Sequence, residues 1–325
     1  MGDLGVSIKG MGQRSCVLYG LLVGIWAAFP AANAENVTLE PSADTCLFEF
    51  NPDFNFGAQS DLPSGTLGAM AGLAKSRMLI KFDVAGAIPA NAVISSASLT
   101  LNVVVSPVGR ANSVFELRRV KLDWNEGNKS GFEPGGARAS AGEVTWNSRI
   151  HPDVGWEDPG GDFGEDFANE SSGQAQVFGL GSYQFNLNAQ GLADLELMAS
   201  NPGGNFGWAV VTRSEETAKT ARRWASGDHA NAAIRPKLEI EYSIPEAPPE
   251  PEILELQLEA ASVNIRFLAH PGVHYSLETT DELAGDSWTS VAEVQWDGEE
   301  GEAELGAPFL EGRRQFLRIV GRSAD

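Results

Sequence analysis

Short runs in which apolar residues alternate with polar ones recur along the chain, and they predict strands. SLTLNVVV (98–105) and KLEIEY (237–242) alternate cleanly, as strands with one buried face do. MLIKFDV (78–84), SVFELRRV (113–120) and WAVVTR (208–213) are rich in β-branched and aromatic residues. Clusters of Gly, Pro, Asn and Asp separate the runs, which suits antiparallel connections. Only AQGLADLELMAS, Ala189 to Ser200, has a helical pattern, and Asn201-Pro202-Gly203-Gly204 stops it. The pattern predicts an all-β chain with a jelly-roll-type β-sandwich over residues 35–243.

The pattern breaks in SIPEAPPEPEI, Ser243 to Ile253, where four prolines and three glutamates make a stiff, extended spacer. The linker is set at residues 244–252. Beyond it LELQLEA, SVNIRFLA, HYSLETT, WTSVAEVQW and RQFLRIV follow with turn residues between them. Residues 253–325 are therefore expected to form a second, smaller sandwich of fibronectin or immunoglobulin style.

The first residues read as an export signal. Lys9 and Arg14 precede the apolar run Cys16 to Phe29, and Ala32-Asn33-Ala34 offers small residues for cleavage after Ala34. That run is shorter than the ~20 residues a membrane span requires, so residues 1–34 are read as a signal peptide. The mature chain is expected outside the cell or at its surface, without a membrane span.

Composition narrows the partners. A formal charge of -21 disfavours nucleic acid and anionic lipid as general partners. The region after the linker is especially acidic, since residues 246–325 hold seventeen Asp and Glu against five Arg. With Cys16 in the signal, Cys46 stands alone, so no internal disulfide staples the fold and its core must hold it.

Several short motifs also occur in a suggestive order. Ala43-Asp44-Thr45 comes first, then Asn55-Phe56-Gly57 and RMLIKFDVAGAIPANAVISSASLTL from Arg77 to Leu101. Leu122-Asp123-Trp124-Asn125-Glu126-Gly127, Val144-Thr145-Trp146-Asn147, Asn205-Phe206-Gly207-Trp208 and Arg235-Pro236-Lys237-Leu238 follow. The succession, over about residues 38–243, resembles the DNRLRE domain family, also grouped as carbohydrate-binding module family 96. The resemblance implies a secreted bacterial β-sandwich module and an alginate-like acidic polysaccharide as ligand. Cys46 departs from it, standing where an aromatic or aliphatic residue is more usual, and no catalytic domain accompanies the module.

Candidate chemistry falls in two places. Thr212 to His229 is the richest basic stretch, and Arg213, Lys219, Arg222 and Trp224 are its candidate ligand-binding residues. Arginine can hold a carboxylate by two parallel hydrogen bonds and tryptophan offers a flat face, which suits a uronic-acid polymer. On a strand, Arg222 and Trp224 share one face and Arg223 takes the other. The alternative is a surface arginine pair neutralising acids, with Trp224 in the core. Arg118, Arg119 and Lys121 read as a solvated strand face.

The second place is Gly142 to Phe167, which holds two tryptophans, one histidine and seven acids. Asp158, Asp162, Glu165 and Asp166 offer oxygen ligands among glycines, so a structural calcium site competes there with a solvated loop. Trp124 and Trp146 are read either as core or as sugar-stacking residues. No nucleophile elbow, phosphate loop or lyase motif occurs, and the four histidines read as scattered turn residues. The sequence thus predicts a non-catalytic carbohydrate-binding protein that requires no cofactor. A structural or adhesive protein of the cell surface or matrix is the alternative, and a polysaccharide lyase or hydrolase is a distant third.

Overall fold

The computed structural model describes residues 34–132, 135–244, 248–259, 261–280, 288–308 and 316–323. The expected signal peptide lies outside the described residues except for Ala34, and so do linker residues 245–247.

The first part of the chain forms strands β1 (Ala34–Leu39), β2 (Ala43–Phe48), β3 (Phe54–Asn55), β4 (Asp61–Thr66), β5 (Lys75–Lys81), β6 (Val93–Val105) and β7 (Ser113–Val120). The short β8 (Ala137–Arg138), β9 (Ser148–Ile150) and β10 (Val154–Gly155) come next, then β11 (Phe167–Val177) and β12 (Gly181–Leu187). After helix α1 (Ala189–Ser200) come β13 (Trp208–Thr212), β14 (Arg222–Ala225) and β15 (Lys237–Ser243). The helix matches its expected bounds, and Asn188 caps it by accepting a hydrogen bond from Gly191 N.

Eleven strands make one sheet in the order β1-β15-β6-β12-β11-β7-β13-β5-β4-β14, with β2 beside β5. A further pairing of β14 with β6 closes eight of them into an antiparallel ring. Closure gives the ring a single inside, filled by alternate side chains from every ring strand. Leu62, Met78, Ile80, Leu99, Leu101, Phe115, Leu117, Val177, Phe185, Trp208, Val210 and Trp224 share that core, and α1 adds Leu195 and Met198. Cys46 joins it fully buried, with its thiol donating to Pro63 O, and burial pushes the thiol's pKa well up.

β5 and β13 are buried on both faces. Leu79 on β5 and Ala209 and Val211 on β13 point out of the ring into a second core, with Trp124, Val144, Trp146, Trp156 and Phe167. The segment between β7 and β11 is therefore a layer laid over the sheet. Trp124 donates to Phe206 O at 2.8 Å and Trp156 to Thr145 O at 3.0 Å, so both rings pack as the apolar-body, polar-tip geometry requires. Of the two readings for Trp124 and Trp146, burial favours core packing.

The two Asn-Phe-Gly motifs work alike at the edges of this layer. Asn55 donates to Glu126 O and Val144 O and accepts from Gly57 N, while Asn205 donates to Phe82 O and accepts from Gly207 N. Gly207 has φ of +71°, and a Cβ there would lie 2.0 Å from Ile80 O, so no other residue fits.

The last part of the chain forms β16 (Glu252–Leu258), β17 (Ser262–Ala269), β18 (Val273–Thr280), β19 (Thr289–Trp296), β20 (Gly301–Pro308) and β21 (Phe316–Ser323). They make two three-stranded antiparallel sheets, β16-β17-β20 and β19-β18-β21. Their own core includes Val263, Ile265, Phe267, Tyr275, Leu277 and Leu305. His274, read as a turn residue, lies on β18 and faces Glu293 at 3.7 Å. No helix among the described residues is long and apolar enough to cross a membrane.

Candidate functional site

A groove of about 480 Å³ opens on the outward face of β7 and β13, lined by Glu116, Arg118, Phe163, Asn169, Arg213 and Glu215 among others. Strand pairing explains why these side chains meet. Glu116 and Arg118 are two apart on β7 and so share a face, and Val211 of β13 stands opposite Glu116. Arg213 follows β13, where its N–H reaches Val114 O at 2.8 Å and its guanidinium turns back over Glu116.

Glu116 is buried between two arginines. Arg118 and Arg213 both donate to its carboxylate, and Arg213 also donates to Gln174 Oε1 at 2.7 Å. Burial works against its charge, but hydrogen bonds and charges from Arg213 and Arg118 outweigh that cost and hold its pKa below the usual carboxylate range. Arg213 stays 57% exposed, with a face of its guanidinium open to the groove.

The aromatic of the site comes from the acidic loop. Phe163 stands at the groove edge, partly exposed, with the guanidinium carbons of Arg77 and Arg118 at 4.9 and 5.6 Å from its ring centre. Arg77 itself is buried and pairs with Glu215, while its remaining donors go to Gly160 O and Gly161 O. The basic stretch and the acidic loop, read apart in the sequence, thus meet at this groove through Arg213 and Phe163.

The other expected ligand-binding residues lie elsewhere. Arg222 and Trp224 do share one face of β14, but that face is the inside of the ring. Trp224 is fully buried, meeting Phe115, Tyr183 and Phe185 edge-on with ring centres 5.3 to 6.1 Å apart. It offers no face for a sugar. Arg222 is buried too, and its donors go to the carbonyls of Ala111, Phe178, Lys219, Thr220 and Ala221. Lys219 is exposed but lines a different cavity, together with Arg222 and Arg223. The alternative reading holds for Trp224, which is core, and for Arg223, which is partly buried and neutralises Asp61; it fails for Arg222, which is buried and not at the surface.

The four acids expected to hold calcium do not gather. Asp166 is buried and spends Oδ2 on the N–H groups of Glu157 and Asp162, at 2.9 and 2.8 Å, which fastens the loop on itself. Asp162 Oδ2 accepts from Glu165 N at 3.4 Å, and Asp158 and Glu165 are exposed. Among the described residues, no group of three or more His, Cys, Asp or Glu is placed to hold a metal ion.

The strand face expected to be solvated is engaged instead. Arg118 lines the groove, Arg119 pairs with Asp194 of α1 at 2.9 Å from the opposite face of β7, and Lys121 donates to Gly164 O. Sequence reasoning missed Arg77, Arg118 and Phe163. An aromatic set between glycines in Gly161-Asp162-Phe163-Gly164 was the one available signal.

A second cluster of carboxylates lies near the start of β2. Asp44 Oδ2 accepts from Gly227 N at 2.6 Å, and Asp44 N donates to Glu126 Oε1 at 2.7 Å. Burial raises the Asp44 pKa to about 7; the Gly227 hydrogen bond opposes that shift, and Glu126 and Asp228 add to it. Burial also raises the pKa of Glu126, a shift that the charge of Lys81, 5.4 Å from the Trp124 ring, opposes. No protein-family model matches the chain, and no curated protein matches it.

Proposed function

We propose that this is a secreted, non-catalytic carbohydrate-binding protein that takes an acidic polysaccharide of alginate type along the Arg118–Arg213 groove. What carries the reading is the pair of arginines sharing Glu116 beside Phe163, a cationic and aromatic wall on a chain with a net charge of -21. Guanidinium groups hold carboxylates in parallel hydrogen bonds, and an exposed ring edge covers the apolar side of a sugar. Arg213, the most exposed of the set, is the residue assigned to the ligand carboxylate. The reading includes export by the 1–34 signal, a jelly-roll-type sandwich of the DNRLRE kind over 35–243, and a separate small sandwich over 253–325. It requires no cofactor.

Affinity electrophoresis of residues 35–325 in gels holding alginate, pectin, xylan or no polymer tests it, each with calcium and with chelator. Retardation by alginate that Arg213→Ala abolishes in a folded variant supports the groove. Uniform mobility of the folded protein overturns it, and release of unsaturated sugar would mean a lyase.

A second reading, a structural or adhesive protein of the cell surface or matrix, is favoured by one observation. β16 is an edge strand whose Ile253, Leu256 and Leu258 pair across from the core residues Phe267, Ile265 and Val263, yet each is more than half exposed. Open apolar edges of this kind recruit further strands.

A further inference from the structure

The four loops joining β4 to β5, β6 to β7, β11 to β12 and β13 to β14 meet at one end of the ring. Hydrogen bonds link them: Lys219 N to Leu67 O at 3.2 Å, Ala111 N to Lys219 O at 3.1 Å, and Arg110 Nε to Phe178 O at 2.9 Å. Buried Arg222 adds donors to both Phe178 O and Ala111 O, so the four loops are held as one unit.

Among them lies a cavity of about 240 Å³. Phe48, Pro63, Leu67, Val105, Pro107 and Ala221 make its walls mainly apolar, and Thr66, Lys219, Arg222 and Arg223 supply the polar part. An apolar cavity of ~150 Å³ stays dry and accepts a benzene, so this one has room for a short aliphatic tail. Its rim continues the apolar character, with Met70, Val108, Phe178 and Leu180 all exposed at the loop tips.

Of the cations that line the cavity, Arg222 is engaged by carbonyls and Arg223 by Asp61, and Lys219 is the exposed one at the mouth. The Lys219 side chain runs past Gly68 toward Gly109, where a Cβ would lie 3.4 Å from Nζ, and no carboxylate partners it among the described residues. Its backbone is in the left-handed region, with φ of +63°, a conformation that non-glycine residues seldom adopt. The bonds to Leu67 and Ala111 hold it there. The surrounding loops 67–74, 106–112 and 178–180 contain no Asp or Glu, and on the fourth loop Glu215 and Glu216 are engaged by Arg77 and Lys75. In a strongly acidic chain, this end combines an apolar cleft with an uncompensated ammonium group.

We propose that this cavity binds a small anionic amphiphile, its aliphatic tail between Phe48, Leu67 and Val105 and its carboxylate on Lys219 Nζ. An alkyl cation would meet Lys219 and Arg110 with like charge, and a neutral alcohol would leave the ammonium group without a counter-ion. The site is distinct from the Arg118–Arg213 groove and does not rest on it.

Calorimetric titration of the full chain with decanoate, decanol and decyltrimethylammonium, each below its micelle concentration, tests the proposal. Decanoate is expected to bind saturably at one site, Lys219→Met to weaken it about tenfold, and Val105→Trp to abolish binding by filling the cavity. Circular dichroism establishes that each variant is folded, and the exposed Lys219 change keeps the test informative should Val105→Trp fail to fold. Absence of saturable decanoate binding, equal binding of the alkyl cation, or an unchanged Lys219→Met overturns it. Binding to phosphatidylglycerol vesicles without binding of monomeric decanoate would also overturn it, by assigning the loops to a lipid surface.

Discussion

Arg77 and Glu215 meet through two parallel hydrogen bonds, Nε to Oε1 and Nη2 to Oε2, each 2.8 Å long. The pair ties β5 to the loop after β13, and the third arm of the guanidinium holds the backbone beneath Phe163. Lysine cannot reproduce that fork. Arg77→Lys is expected to cost about 2–4 kcal/mol of stability, since a buried pair is broken and two carbonyls lose their donor. Urea denaturation measures it, and loosening of Phe163 should weaken glycan retention in parallel.

Trp224 should behave as a core residue. Trp224→Ala is expected to destabilise the protein by ~3–5 kcal/mol through the cavity it leaves. Its indole Nε1 is buried without a partner, so Trp224→Phe removes an unsatisfied donor and should cost distinctly less. Denaturation midpoints of the two variants check the order; equal losses would mean the N–H is satisfied after all.

Asp44 makes stability depend on pH in a defined direction. Its pKa rises from 3.8 to about 7 on folding, so its protonated form is the one the fold favours. That contribution is fully present below pH 3.8 and is lost as pH rises through 7. Asp44→Asn retains an oxygen for Gly227 N–H and carries no charge. It should be more stable than the parent at pH 8, by on the order of 3 kcal/mol, and little different at pH 4. Paired denaturation curves at the two pH values read this difference directly.

The open edge of β16 should govern association of the protein. Leu256→Lys places a charge on the uncovered strand, the device by which natural edges stay unpaired. Sedimentation velocity at rising concentration is expected to show less self-association than the parent; identical profiles would remove the support for the adhesive reading.

Much of the fold was legible because alternation and stop signals are local. β7, β17 and α1 occupy the ranges their patterns predicted. β11 was not, since FANESSGQAQV is polar and small and becomes a strand by pairing with β7 and β12 on its two sides. β20, GEAELGAP, was hidden for the same reason. At the site, Arg213 stood out in a basic stretch, but Arg77 and Phe163 come together only when the β7–β11 segment folds onto the sheet. Alternation put Arg222 and Trp224 on one face; which face was inside depended on β14 closing against β6, a contact no local pattern encodes.

The first and last strands of the large sheet run side by side, with Ala34 opposite Ser243 and Leu39 opposite Leu238. Tension applied along the chain at Glu35 and Tyr242, which also stand opposite each other, would pull on the same end of this antiparallel pair. Such loading opens hydrogen bonds one at a time, as a zipper does, instead of shearing the whole ladder together. β1 should therefore peel away at low force while the closed ring beneath it stays intact, giving a protein held at both ends a few residues of reversible slack before its core bears any load.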